Sequence, residues 1–416
     1  MSRGLLAIVM LGGIVTAAAP APGQAGETSP ASRDPAAAVP DWQARGAAAA
    51  DYSARHSGRV VVVMVDGKVV FERADNGWAV DRPHPLASGT KSFVGVVAAT
   101  AVDDGLLTLD ELASDTLTEW KNDPRRSKIT VRHLLTLSSG LDPSDALLGG
   151  RGGGRILGEG ASSRDRWLGG TERRRPENNF AEAVKVPTIG EPGAKFDYGP
   201  SHFYAFGELL ERKLRAKADA DPSFTLDTFE AYMRTKLFEP IGLKVFRIGK
   251  DSAGKQNLPG GAMLVASEWA KFGQLVLQQG RWPGPGGEMR AVVGWDALGQ
   301  CFEPSAANPA YGLTWWLPSE GNPELSLVAD GPMGALLKRR AAATPKRPVA
   351  ELDGKPATVW MAAGLGKQRL YVLPQHNMVV VRFAEATAAG RRYDDREFLR
   401  PLLDQPAGSK SVVTPR

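Results

Sequence analysis

Ser88-Gly89-Thr90-Lys91 places a hydroxyl and an amine three residues apart. On a helix that spacing puts both side chains on one side, so an unprotonated lysine amine can accept the serine proton and turn a weak nucleophile into an effective one. A helix opening at Ser88 adds free N–H groups and the positive end of its dipole, which favour negative charge beside the serine and disfavour a protonated Lys91. The tetrapeptide alone is weak, because about one S-x-x-K is expected by chance in a chain this long. A second occurs at Ser252-Ala253-Gly254-Lys255. The settings separate them: Val94, Val97, Ala98 and Ala101 share one face after Ser88 and Gly105 can stop that helix, whereas Ser252 lies in Gly/Pro-rich sequence with no helix following. No G-x-S-x-G elbow occurs. His56, His84, His133, His202 and His376 form no metal-ligand spacing, and the lone Cys301 excludes an intramolecular disulfide or a cysteine-rich zinc site. The reading is therefore of chemistry without a metal or cofactor.

Holding such a pair requires a folded body. The 416 residues are 43% hydrophobic and 23% charged, ordinary for a globular protein and unlike disordered or polytopic membrane chains. The net charge of +5 is far from the concentrated charge of a nucleic-acid binder, so no nucleic-acid partner is expected. Met1 to Ala25 has Arg3, an apolar run from Leu5 to Val15 and small residues at Thr16–Ala19 and Gly23–Ala25, the pattern of a cleaved signal peptide. The apolar core is too short for a permanent membrane anchor, and a periplasmic or secreted location is expected. Residues 26–41 read as a linker. Trp42 to Ala54 is helical, and two β-rich runs, Arg59–Val65 and Lys68–Phe71, flank Asp66-Gly67 as a hairpin. Further helices are expected over Thr130–Gly140, Pro200–Leu214, Leu226–Phe238 and Ser267–Gln279. Strands are expected at Arg369–Leu373 and Met378–Phe383, with a closing helix from Tyr393 to Leu403. Arg/Gly-rich residues 149–175 and the basic stretch from Lys338 to Pro356 read as long surface loops.

Several ordered segments then resemble a known family. Ser88-Gly-Thr-Lys91-Ser-Phe, Gly105-Leu-Leu-Thr-Leu-Asp110, Ile129 to Leu141, Glu191-Pro-Gly193, Phe196-Asp-Tyr198, Leu237 to Leu243, Ser267 to Leu275 and Tyr311-Gly-Leu-Thr-Trp-Trp316 are similar to the serine β-lactamase and penicillin-binding protein superfamily. The branch is the one that holds class C β-lactamases, D-alanyl-D-alanine carboxypeptidases, family VIII carboxylesterases and 6-aminohexanoate-dimer hydrolase. The resemblance runs from about residue 42 to 404. It implies an α/β (α+β) fold, an antiparallel sheet flanked by helices with an all-helical domain inserted in it. The sheet domain would be split over residues 42–112 and 308–404, the helical insertion would span 113–307, and 405–416 would be a flexible tail.

The resemblance implies Ser88 as the acylated nucleophile, Lys91 as its proton-transfer neighbour and Tyr198 as the phenol of the second motif. A nearby lysine cation would favour the phenolate of Tyr198. That motif is Tyr-x-Asn in the family, and Pro200 stands here for asparagine, leaving Ser201 as a partial substitute. The third motif, Lys-Thr-Gly or His-x-Gly, aligns with Ala362-Ala363-Gly364, so the strand glycine is kept and the cation is lost. The N–H groups of Ser88 and Leu365 would form the oxyanion hole, which depends on backbone and tolerates the change. Ala362, Gly364, Ser201 and Trp316 are the implied substrate-binding residues, with Lys367 or the Lys338 region as alternative cations. The expected activity is hydrolysis of a small-molecule or peptide ester or amide. A D-Ala-D-Ala peptidase or β-lactamase, and a non-catalytic binding protein with decayed second and third motifs, are the alternatives.

Overall fold

A run of β-branched residues sets up the central sheet. α1 (Trp42–Arg55), capped by the Asp41 carboxylate on the Ala44 N–H, leads into β1 (Gly58–Val65), which is buried along almost its whole length and is apolar without alternation because both of its faces are covered. The chain reverses through Asp66 (φ 50°) and Gly67 (φ 77°), the two positive angles of a type I′ turn, into β2 (Lys68–Ala74). The Asp-Gly hairpin is thus present where the sequence predicts it.

The computed structural model describes residues 40–143, 176–317, 351–352, 355–356, 359–387 and 390–403. The expected signal peptide 1–25, most of the expected linker, the Arg/Gly-rich residues 149–175, the basic segment around Lys338 and residues 405–416 lie outside them. After β2 the elements are β3 (His84–Pro85), α2 (Lys91–Asp103), α3 (Val131–Leu135), α4 (Asn179–Lys185), α5 (Ser201–Ala220), α6 (Phe229–Met233), β4 (Arg247–Ile248), β5 (Ala262–Leu264) and α7 (Ala266–Leu277). There follow the hairpin of β6 (Arg281–Pro283) and β7 (Met289–Ala291), α8 (Trp295–Leu298), the short pair β8 (Glu351–Leu352) and β9 (Lys355–Pro356), β10 (Trp360–Gly364), β11 (Gln368–Leu373), β12 (Met378–Ala384) and α9 (Asp395–Leu403).

Five antiparallel strands align in the order β10-β11-β12-β1-β2, with Val62 opposite Val381 and Tyr371 opposite Val380. Early and late parts of the chain therefore build one sheet, an antiparallel sheet flanked by helices. α1 and α9 pack together and α1 lies against β1, while α7 packs on β11, β12 and β1. A three-stranded sheet, β3-β5-β4, ties the segment entering Ser88 to the one around residue 262. Two expected helices are shortened. The one at Thr130 stops at Leu135, because Leu137 takes φ 57° and turns the chain back. The one expected from Leu226 starts at Phe229, where Thr228 caps it, and widens into a π turn over Arg234–Phe238.

A buried polar network docks α9 on the sheet. Arg369 of β11 donates from Nε to Asp395 Oδ1 at 2.7 Å, the Tyr371 hydroxyl donates to the same oxygen, and Tyr393 lies 2.8 Å from Tyr371. Burial alone would raise the Asp395 carboxyl, but the Arg369 charge and hydrogen bond outweigh it and hold the pKa at about 2, below the ordinary 3.8. A depressed folded-state pKa contributes stability that is complete above the unfolded value and is lost as pH falls through the folded one. Urea unfolding followed from pH 6 to pH 2 should therefore show a loss of roughly 2 kcal/mol attributable to this carboxylate, centred between pH 4 and 2. Arg369→Met should remove about 3–5 kcal/mol at neutral pH by stranding the buried charge; an unchanged midpoint would refute this account of the α9 docking.

Candidate active site

The nucleophile turn is built from short-range bonds. Ala87, at φ 48°, turns the chain into a single 3-10 turn over Ala87–Thr90 that runs on into α2. The Thr90 hydroxyl donates to the Ala87 carbonyl at 2.7 Å and accepts from the Ala262 N–H at 3.0 Å, fixing the turn to β5. Ser88 lies in the first turn of this helical segment, where N–H groups have no intrahelical acceptor. α2 is buried from Lys91 through Ala101, so it is a central helix and Lys91 projects from it into the protein. The Lys91 Nζ donates to Ser88 Oγ at 2.9 Å and to the Pro259 carbonyl at 2.7 Å. It also sits 4.8 Å from the Tyr198 ring centroid and 5.3 Å from that of Phe203. The two groups that the spacing brings to one side are thus hydrogen-bonded.

Tyr198 comes from the loop before α5. The residue is half-buried, but its hydroxyl is sealed from solvent and closes no hydrogen bond of good geometry. Burial pushes the phenol up to about 12, and the facing Ser88 hydroxyl offsets only part of that rise. The expectation of a phenolate is therefore corrected: desolvation dominates the environment of the hydroxyl, and Tyr198 is a neutral phenol at physiological pH. His202 secures the approach to it. Its Nε2 donates to the Asp197 carbonyl at 2.8 Å, which leaves Nδ1 to accept from the Ser139 hydroxyl at 2.8 Å. Burial lowers its pKa to about 4, so His202 is a neutral wedge under the Asp197–Tyr198 segment with both nitrogens engaged.

β10 closes the other side by packing on the nucleophile turn. Gly364 makes that approach possible, because a Cβ there would stand 2.0 Å from the Leu86 carbonyl oxygen and 3.1 Å from the Gly89 nitrogen. Ala362, two residues back on the same face of the strand, is buried and apolar, opposite Leu370. Leu365 follows at once and is 67% exposed, with its carbonyl accepting from Gln368 Nε2 at 3.1 Å.

The remaining sequence candidates divide. Trp316 stacks on Tyr198 at 6.2 Å between centroids and pairs its backbone with Met361 of β10, whereas Trp315 stacks on Phe272 in the core. Ser201 is buried and donates its hydroxyl to the Asp142 carbonyl at 2.9 Å, so that hydroxyl is spent on holding α5 and does not stand in for the missing asparagine. Lys367 bears electrostatically on Asp395, in the network that docks α9. The second S-x-x-K is absorbed structurally: Lys255 pairs with the buried Glu211 and lies over the Phe180 ring, and Ser252 is exposed. His133 caps α3 reciprocally with Thr130. Sequence reasoning missed Pro259, which acts through its main chain, and Tyr311, a fully buried phenol without a hydrogen-bond partner that packs edge-on against Trp316 at 4.8 Å. For Tyr311 a signal did exist in its place two residues before Leu313 in the Tyr-Gly-Leu-Thr-Trp-Trp segment.

A helix-borne Ser–Lys pair facing a tyrosine, under an edge strand that ends in a close-packed glycine, is the arrangement the family resemblance implies. The Beta-lactamase family model matches residues 43–403. The chain belongs to that family. Two curated relatives match more locally: monacolin J acid methylbutanoyltransferase of Aspergillus terreus, 29% identical over 39% of this chain, and lovastatin esterase of Penicillium rubens, 30% identical over 38%. The match covers 37% of the length of each of these relatives. Among solved structures, a D-stereospecific amidohydrolase from Streptomyces shares the fold with TM-score 0.56 and 15% identity, over 85% of this chain and 97% of its own. In this beta-lactamase family member Ser88, Lys91 and Tyr198 come together, with Pro200 and Ala362 where the resemblance implies an asparagine and a cation. Among the described residues no group of histidine, cysteine or acidic side chains could hold a metal ion, and no helix is long and apolar enough to cross a membrane.

Proposed function

We propose that the protein is an exported serine hydrolase that works through an acyl-Ser88 intermediate on uncharged esters or amides. The observation that carries this reading is the 2.9 Å hydrogen bond between Lys91 Nζ and Ser88 Oγ. In the cycle, Ser88 Oγ attacks the substrate carbonyl carbon and its proton passes to the Lys91 amine, a step that requires that amine unprotonated. The Ser88 and Leu365 N–H groups stabilise the oxyanion. As the tetrahedral adduct collapses, the bond to the leaving group breaks and a proton returns to that group through Lys91 and the neutral Tyr198 hydroxyl. Water then attacks the acyl-enzyme, losing a proton to Lys91, and the acid departs with Ser88 Oγ reprotonated.

Substrate class follows from what the third motif lacks. A carboxylate-bearing substrate such as a β-lactam calls for a cation on the edge strand, and Ala362 supplies none. The two curated relatives are a methylbutanoyltransferase and an esterase, which supports the ester reading. The export part of the proposal rests on Arg3 and the Leu5–Val15 run, and N-terminal mass analysis of the protein recovered from its host would test it. For the substrate class, kcat/KM should be at least about 100-fold higher for a short-chain p-nitrophenyl ester than for a chromogenic cephalosporin. A preference for the cephalosporin would overturn it.

A further inference from the structure

We infer that Tyr204 and Asn257 form a positioning pair that sets the Pro259 carbonyl against Lys91 and so aims the amine at Ser88. The inference deepens the hydrolase reading and rests on it. A lysine side chain has four rotatable bonds, and its amine is useful as a proton acceptor only while held at the serine oxygen. Here the Pro259 carbonyl supplies the second restraint at 2.7 Å. That carbonyl belongs to a tight turn in which the Asn257 carbonyl accepts from the Gly260 N–H at 3.2 Å and the Gly261 N–H at 2.7 Å, while the Asn257 N–H donates to the Gly249 carbonyl at 2.7 Å.

Two successive glycines follow Pro259, so the turn has little stiffness of its own at the point where accuracy matters. Beside its backbone bonds to Gly249, the turn has a side-chain tether, a hydrogen bond from the fully buried Tyr204 hydroxyl to Asn257 Oδ1 at 3.1 Å. Tyr204 stands on α5 directly after Phe203, whose ring centroid is 5.3 Å from Lys91 Nζ. One helix turn therefore touches the amine through Phe203 and steadies the carbonyl that holds it through Tyr204. Tyr204 and Asn257 act through Pro259, and neither is assigned a contact with substrate.

The test is a double-mutant cycle of Tyr204→Phe and Asn257→Ala, reading the rate of Ser88 acylation by a fluorophosphonate across pH together with the melting temperature. Each single variant should slow acylation about 10-fold with unchanged probe saturation, and should displace the midpoint of the pH–rate profile by about half a unit. The double variant should be no slower than the slower single, because both remove the same tether. A fall in melting temperature with rate and pH midpoint at their original values, or losses that add, would reduce the pair to a structural bond and overturn the inference. If the unsubstituted protein takes no adduct at Ser88, the hydrolase reading falls as well; if it is labelled and Tyr204→Phe is labelled as fast, only the positioning role falls.

Discussion

Lys91→Met should lower the rate of Ser88 acylation by about three orders of magnitude, with little change in fold. Methionine fills nearly the same volume among Tyr198, Phe203 and Pro259, so packing is largely retained, while the amine hydrogen-bonded to Ser88 Oγ at 2.9 Å is lost. Tyr198 cannot take over as base, because burial raises its pKa to about 12 and leaves it protonated at neutral pH. Stopped-flow burst measurements with an activated ester check this directly. A loss of less than about 10-fold would mean that another group accepts the serine proton.

Gly364→Ala should be the most damaging single-methyl change near the site. The added carbon would overlap the Leu86 carbonyl oxygen at 2.0 Å, and that acceptor is main chain, so only a shift of β10 away from the nucleophile turn relieves it. Overpacking of this kind costs about 1–3 kcal/mol. The catalytic cost should be larger, about 100-fold in kcat/KM, because a displacement near 1 Å of the strand end also displaces the Leu365 N–H from the position an oxyanion would occupy. Calorimetry and ester kinetics on the same preparation separate the two effects. A variant that loses stability but keeps its kcat would show that the end of β10 takes no part in the chemistry.

What the sequence reveals is whatever is local. The Asp66-Gly67 hairpin, the α2 stripe after Ser88 and the Ser–Lys spacing are all set within a few residues, and each is found at its expected place. The restraint on Lys91 is 168 residues away and comes from a carbonyl that any residue type could provide, so no side-chain pattern marks it. A histidine four residues after Tyr198 invites a base role because histidine titrates near neutrality, yet enclosure between Ser139 and Asp197 makes His202 a wedge. The phenolate expected of Tyr198 fails for the same reason. A neighbouring charge can be inferred from spacing, whereas the depth of burial that opposes it is a property of the packed fold.

The most direct test of the central claim is the intact mass of the protein after incubation with a fluorophosphonate, run beside Ser88→Ala. The account predicts a single covalent adduct on the unsubstituted protein and none on the variant, with both melting cooperatively. An unlabelled but folded protein, or an adduct that survives in Ser88→Ala, would contradict it.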